Sequence, residues 1–353
     1  MSDDAAPLSI GRAVPRSSPA TTRRALVAVL VLLLLAVPAF ASPFVLDLFA
    51  QVFIASIAAL ALMLLTGIAG QISLGHAGLL AAGAFTASIL YRELGAPFWI
   101  TLPASLIAGA AIGLIFGLPS LRLRGIYLAV STLALHFVVI YLGSEYEHSR
   151  GFSTGITLDP PVAFGYEIYG GRPWFYVLLA LLAAVVFVCR NLLRSRIGRA
   201  WQAIHAKETV AEAIGVAVAR YKLLAFLISS ALTAFAGALL AYYQGFVSVE
   251  AFSLNLSIQY IAMIIVGGMG SLAGAVLGAA FISVMPYFIE WLIRSVPALG
   301  LDVGAASFVN YASFGVIMLV FLIFEPAGLV GIWKRVVLIF RNMPANGRKG
   351  GAP

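Results

Sequence analysis

Long stretches of this chain contain no Asp, Glu, Lys or Arg: residues 48–91, 98–121, 174–189, 223–249 and 251–289. A helix rises about 1.5 Å per residue, so about 20 apolar residues cross the hydrocarbon core of a bilayer. Several apolar runs approach that length. Hydrophobic residues make up 62% of the chain and charged residues only 10%, where a soluble domain carries about a quarter charged residues. The short alternating segments of a transmembrane barrel are absent. The fold class is therefore an all-α polytopic membrane protein.

Ten apolar segments are expected, near 25–46, 49–69, 73–91, 98–118, 125–143, 174–190, 222–245, 253–268, 272–290 and 311–331. The eighth is the shortest and is interrupted by Gly267, Gly268 and Gly270. An even number of spans puts both termini on one side, and the basic residues choose it. The segments assigned to the cytoplasm hold 18 of the 22 Lys and Arg residues, seven of them between Arg190 and Lys222. Nine of the 14 acids fall on the other side. The net charge of +8 is positive-inside bias rather than a nucleic-acid footprint. These assignments give an N-terminal tail at 1–24, a transmembrane domain at 25–333 and a C-terminal tail at 334–353. Within the domain, 144–173 is an outer loop and 191–221 a cytoplasmic loop. Arg23, Arg24 and the following apolar run, ending in Ala39 and Ala41, also resemble a cleavable signal peptide. Because the apolar run resumes at Phe44, an uncleaved first span is the expectation.

What the spans lack is informative. Ion-coupled carriers place ionisable groups at mid-membrane, and here only His76 and His136 are available. A lone histidine in a bundle is ordinarily hydrogen-bonded packing. No phosphate-binding G-x-x-x-x-G-K-[ST] loop occurs. No constellation of catalytic groups suggests an enzyme, and the four histidines have no metal-ligand spacing. The single cysteine, Cys189, forms no internal disulfide. The chain reads as a pathway without its own motor.

Gly109, Gly113 and Gly117 line one helix face, as do Gly274 and Gly278. Small residues at that spacing let helices pack closely in lipid. "GIAGQISLGHAGLLAAGAF" (67–85) places Gln71, Ser73 and His76 among glycines between two apolar runs. "VGGMGSLAGAVLGAAF" (266–281) is a comparable break. Interrupted helices survive in a membrane only where protein or a water-lined cavity satisfies the freed backbone, and in corresponding halves they point to a translocation path. Gln71, Ser73, His76, Gly267, Gly268 and Gly270 are the candidate path residues.

The polar insert "RIGRAWQAIHAKETVAEAIGV" (196–216) interrupts the oily pattern. Read as one helix over 200–215, it puts His205, Glu208 and Glu212 on one face and Ala203, Ala206, Val210 and Ile214 on the other. Gly215 is a plausible stop. The alanine face is too shallow to anchor in lipid, which favours a helix docking in a partner's groove over an interfacial one.

"GQISLGHAGLLAAGAF", "SRIGRAWQAIHAKETVAEAIGV", "VGGMGSLAGAVLGAAF" and "EPAGLVG" (325–331) together resemble the permeases of branched-chain amino acid ABC importers. The likeness covers about residues 50–333, and the extra first span resembles the longer, LivM-type subunit. It implies an inner-membrane importer working by alternating access. It also implies four kinds of partner: a second permease, two cytosolic ATPases that bind the ATP, a periplasmic binding protein and the surrounding lipid. No cofactor is implied for this chain itself. The 191–221 loop is similar to the coupling helix of ABC permeases, with Arg199, His205, Glu208, Glu212, Ala213 and Gly215 as its site residues. The usual E-A-A-x-x-x-G is altered here, so either Glu208 or Glu212 fits the matching role. Related permeases carry urea or short amides, and a stand-alone facilitator is the remaining alternative. Specificity resides largely in the binding protein.

Overall fold

The computed structural model describes residues 33–121, 123, 125–152, 155–163, 165–295, 303–325, 328–333 and 335 of the chain. The N-terminal tail, residues 25–32 of the expected first span and all of the C-terminal tail except residue 335 lie outside them. A helix ends at Phe40, and Ser42 caps the next one by accepting a hydrogen bond from the Val45 amide. That helix, α1, is Pro43–Leu62 and begins with proline at its first position, where the missing N–H costs nothing. Phe44 and Leu46 therefore belong to α1 rather than to the preceding span.

Among the described residues, ten further α-helices follow up to Phe324. They are α2 (His76–Leu94), α3 (Phe98–Ser120), α4 (Ile126–Ser149), α5 (Gly171–Arg194), α6 (Arg196–Ala206), α7 (Glu208–Ala213), α8 (Val218–Gln244), α9 (Leu254–Gly267), α10 (Leu272–Ser295) and α11 (Val303–Phe324). Among the described residues six helical stretches are long and apolar enough to cross a membrane, and α9 and part of α11 are shorter apolar helices. Four two-residue strands, β1 (Ile156–Thr157), β2 (Val162–Ala163), β3 (Tyr166–Glu167) and β4 (Phe246–Val247), form two small antiparallel pairs, β1 with β4 and β2 with β3. They lie at the end of the bundle opposite α6 and α7.

The sequence expectations are corrected in three places. Residues 144–149 continue α4 instead of opening a loop, because Tyr146 donates to Glu93 at 2.8 Å and anchors the extra turn. The expected final segment, 311–331, is the helix α11 ending at Phe324, and 328–333 form a separate helical turn. The expected single helix over 200–215 is two helices, separated at Lys207, whose backbone is extended (φ −162°, ψ 106°).

The second half of α1 and the turn after it are buried all round, from Phe53 to Leu65, and carry no charged residue. α3, α4, α5, α10 and α11 instead turn large apolar side chains outward, among them Ile107, Phe137, Phe187, Phe288 and Val316. An outward apolar belt is what a lipid-facing bundle requires.

Close approach of helix axes replaces the hydrophobic drive that lipid does not supply. The Gly109–Gly113–Gly117 stripe packs α3 onto Ser230, Ala234 and Leu223 of α8. α2 crosses α8 at reciprocal glycines: a Cβ on Gly83 would meet the Ala234 carbonyl oxygen at 1.8 Å, and one on Gly237 would meet the Leu80 oxygen at 1.9 Å. Ser105 donates to the Gly83 carbonyl across α3 and α2 at 3.1 Å, and Ser229 of α8 donates to Ala61 of α1 at 2.7 Å. Gly237→Ala is expected to cost about 1–3 kcal/mol of stability through overpacking. Gly315→Ala, in open space, should cost far less. Thermal unfolding of the two variants in detergent measures the difference.

Candidate functional site

Two features meet at one end of the bundle: the α6–α7 element and a break in the chain between α1 and α2. Ser195 makes the first feature possible. It ends α5 and caps α6, donating to the Leu192 carbonyl at 2.7 Å and accepting from the Ile197 amide at 3.1 Å. Gly198 lets the two helices fold back on each other, since any Cβ there would lie 2.5 Å from the Leu193 Cα. Arg199 donates to the Arg194 carbonyl at 2.9 Å, tying down the end of α5. Trp201 is fully buried and its indole N–H donates to the Tyr221 carbonyl at 2.8 Å, fastening α6 to the start of α8.

After Lys207 the chain forms α7. Glu208 turns inward to an ion pair with Lys222 at 2.8 Å, both side chains being largely shielded. The end of α7 is a Schellman motif: the Val216 amide bonds to Ala211 and the Gly215 amide to Glu212, with Gly215 at φ +85°. An L side chain rarely adopts that conformation, which explains the glycine. Glu212, Ala213 and Gly215 are exposed, as are Val210 (50%) and Ile214 (71%). Those two apolar side chains are uncovered, although they sit on a separate short helix and not on one continuous helix over 200–215. The altered geometry follows from the extended Lys207, which rotates α7 relative to α6.

The second feature begins where α1 changes to a π-helical turn, Met63–Ile68. The Gln71 amide reaches back to Leu65 at 3.0 Å, and Gly70 takes φ +71°. From there residues 71–75 climb back alongside α1. His76 fixes the depth: its Nε2 lies 3.0 Å from the Ala58 carbonyl oxygen, ten residues before Ile68. Ten helical residues span about 15 Å, and five extended residues cover about the same distance. Thus α2 starts inside the bundle, not at its surface.

Three freed backbone groups in this re-entrant stretch find a side chain. Thr66 donates to the Gln71 carbonyl at 3.0 Å, Thr132 of α4 accepts from the Leu74 amide at 2.9 Å, and Ser257 of α9 accepts from the Ala77 amide at 2.9 Å. His76 also lies 3.5 Å from the Thr233 hydroxyl and meets Tyr260 edge-on at 5.0 Å between centroids.

The two features touch. His205 of α6 lies with Nδ1 3.2 Å from the Ile68 carbonyl oxygen, and its ring fills the space beside Gly70. The Gln71 amide donates to the Lys222 carbonyl at 3.0 Å. The second glycine break joins them. A Cβ on Gly67 would strike the Met269 carbonyl oxygen at 1.7 Å, and Gly328 (φ +65°) sits against the Gly268 amide. Gly328, in the "EPAGLVG" motif, therefore seats the chain after α11 on the turn between α9 and α10.

Gln71, Ser73, His76, Gly267 and Gly268 are buried in this contact, and Gly270 is exposed. None of the six borders the two cavities near the opposite end of the bundle. Thr132, Thr233 and Ser257, which hold the break, were missed by sequence reading. They are isolated hydroxyls in apolar helices, and nothing in their local pattern announces a distant partner.

A helical bundle with a re-entrant half-helix and a polar element at one end is the architecture of a multi-pass membrane permease. Residues 44–324 match the family described as the permease component of a branched-chain amino acid transport system, and the chain belongs to that family. The LivM permease of the high-affinity branched-chain amino acid transport system of Salmonella typhimurium is 37% identical over 284 residues, covering 72% of this chain and 67% of that protein. Its counterpart in Escherichia coli is 37% identical over 249 residues, covering 64% of this chain and 59% of its own length. Among solved structures, PsaBC from Streptococcus pneumoniae in complex with Fab aligns over 87% of this chain at 14% identity with a TM-score of 0.44. The Salmonella and Escherichia relatives are transport permeases.

Ser257→Ala leaves the Ala77 amide without its acceptor inside the bundle. The expected loss is about 1–3 kcal/mol, read as a lowered unfolding midpoint in detergent; an unchanged midpoint would remove Ser257 from the set that holds α2.

Proposed function

We propose that the chain is a permease subunit of an ATP-driven importer for branched-chain amino acids in the bacterial inner membrane. It pairs with a second permease, two cytosolic ATPases and a periplasmic binding protein, and ATP is bound by the ATPases alone. The family match supports the transport role, and the α6–α7 element supports the division of labour. In this reading ten spans place both termini with α6 and α7 on the cytoplasmic side, in keeping with the distribution of Lys and Arg.

One observation carries the reading. α7 presents Glu212, Ala213, Gly215 and the uncovered Val210 and Ile214 outward, while His205 and Lys222 behind it touch the re-entrant break. A short capped helix with an acid and two aliphatic side chains is shaped to seat in a groove of a partner. Glu208 is engaged by Lys222, so Glu212 takes the partner-facing role. Closure of the ATPases pushes α7, and α6 passes the displacement through His205 to Ile68 and Gly70. The break absorbs it and shifts the start of α2, opening the path by alternating access.

Glu212→Arg should abolish coupled uptake while leaving the chain inserted. Gly215→Pro, which cannot adopt φ +85°, should do the same. Losing a central anchor lowers association by about tenfold or more, so copurification of the ATPases should fall with uptake. Wild-type uptake by both variants would end the coupling assignment.

A further inference from the structure

Two cavities lie away from the α6–α7 end. One, of about 470 Å³, is walled by Asp47, Gln51, Tyr169, Trp174, Tyr243 and the α5 start at Gly170–Gly171, among others. The second, of about 320 Å³, reaches into the bundle and is walled by Gln259, Tyr260, Ser283 and Tyr287 together with Gln51 and Gln244, which both cavities share. Their volumes are those of small-molecule sites.

We propose that the first cavity receives a small solute carrying a primary ammonium group, with the Asp47 carboxylate as its counter-charge. The proposal rests on the permease reading and adds a solute site to it.

Asp47 stands at the edge of the charge-free stretch beginning at residue 48. Its two oxygens accept from neutral donors, the Tyr243 hydroxyl and the Gln51 amide, the latter at 2.9 Å. Neutral donors orient a carboxylate without cancelling its charge, and among the described residues no salt bridge reaches Asp47. The cavity thus combines one negative charge with the rings of Tyr169, Trp174 and Tyr243, and aromatic faces favour ammonium groups.

The shared wall gives the site an onward direction. Gln51 is held between Asp47 and Tyr287, whose hydroxyl donates to it at 3.3 Å. Beyond it the second cavity offers amides and hydroxyls but no charge, and Tyr260 in its wall packs on His76. A solute leaving Asp47 inward therefore comes within one ring of the α2 start.

The competing account makes Asp47 a neutral-donor brace between α1 and α8, with no ligand. Saturation-transfer NMR on the purified full chain separates the two, using leucine, 3-methylbutylamine and 4-methylpentanoate as probes. Leucine and the amine should bind and the acid lacking nitrogen should not. Asp47→Asn keeps a hydrogen-bonding side chain of the same shape and should weaken leucine binding about fivefold or more, the worth of a partly shielded ion pair. Should Asp47→Asn lower the unfolding midpoint, Tyr169→Ala serves instead. That ring is 74% exposed and makes no brace, and its removal should also weaken both amines. Equal leucine binding by a folded Asp47→Asn protein, 4-methylpentanoate binding as strong as leucine, or no binding by the wild type would overturn the site. Such a failure alongside copurified ATPases leaves the permease reading standing. Absence of the ATPases sinks that reading whatever the probes show.

Discussion

A backbone amide in hydrocarbon must be hydrogen-bonded, because no water is present to take its place. This chain meets the constraint at its hardest point, the non-helical stretch after the π-turn of α1. Thr66, Thr132 and Ser257 satisfy backbone groups that a continuous helix would have satisfied itself. His76 then pins the first residue of α2 to the middle of α1 through Ala58. The surrounding packing serves that arrangement: reciprocal glycines press α2 onto α8, and the α3 stripe holds α8 from the other side.

A stretch held by side chains from several helices is easier to shift than a continuous helix. Each of its bonds belongs to a different neighbour, so a small displacement of one neighbour changes the set without unwinding a whole element. The π-turn above it is a further soft point, as such turns often are at functional sites. His205 and Gln71 tie this stretch to the α6–α8 corner, and Gly67 ties it to the turn between α9 and α10. Both glycine-rich breaks therefore meet in one contact, at the same end as the polar element.

Much of this was legible in the sequence, and the misses have physical causes. The absence of charge over 48–91 and 223–249 marks the buried helices, and the spacing of Gly109, Gly113 and Gly117 marks a packing face. Gly215 reads correctly as a helix stop because its role is local. Lys207 does not announce a break: Ala206, Lys207 and Glu208 are all good helix formers. Tertiary forces decide it, with Trp201 fixing α6 and the Glu208–Lys222 pair fixing α7. Hydropathy sets the ends of spans in the sequence, and it stops at Gly143. α4 continues to Ser149 because polar contacts to α2 hold turns that lipid would not. Gln71, Ser73 and His76 stood out as polar residues in an apolar region. The partners of Gln71 at Lys222 and of His76 at Ala58 and Thr233 exist only in three dimensions, so local pattern could not announce them.

The central claim is that force applied at α7 is delivered to residues 69–77. Hydrogen exchange of the full transporter, with and without a trapped nucleotide, tests it directly. The account predicts that the amides of 69–77 change protection together with those of 205–216. A change at 205–216 with 69–77 unaltered would contradict it.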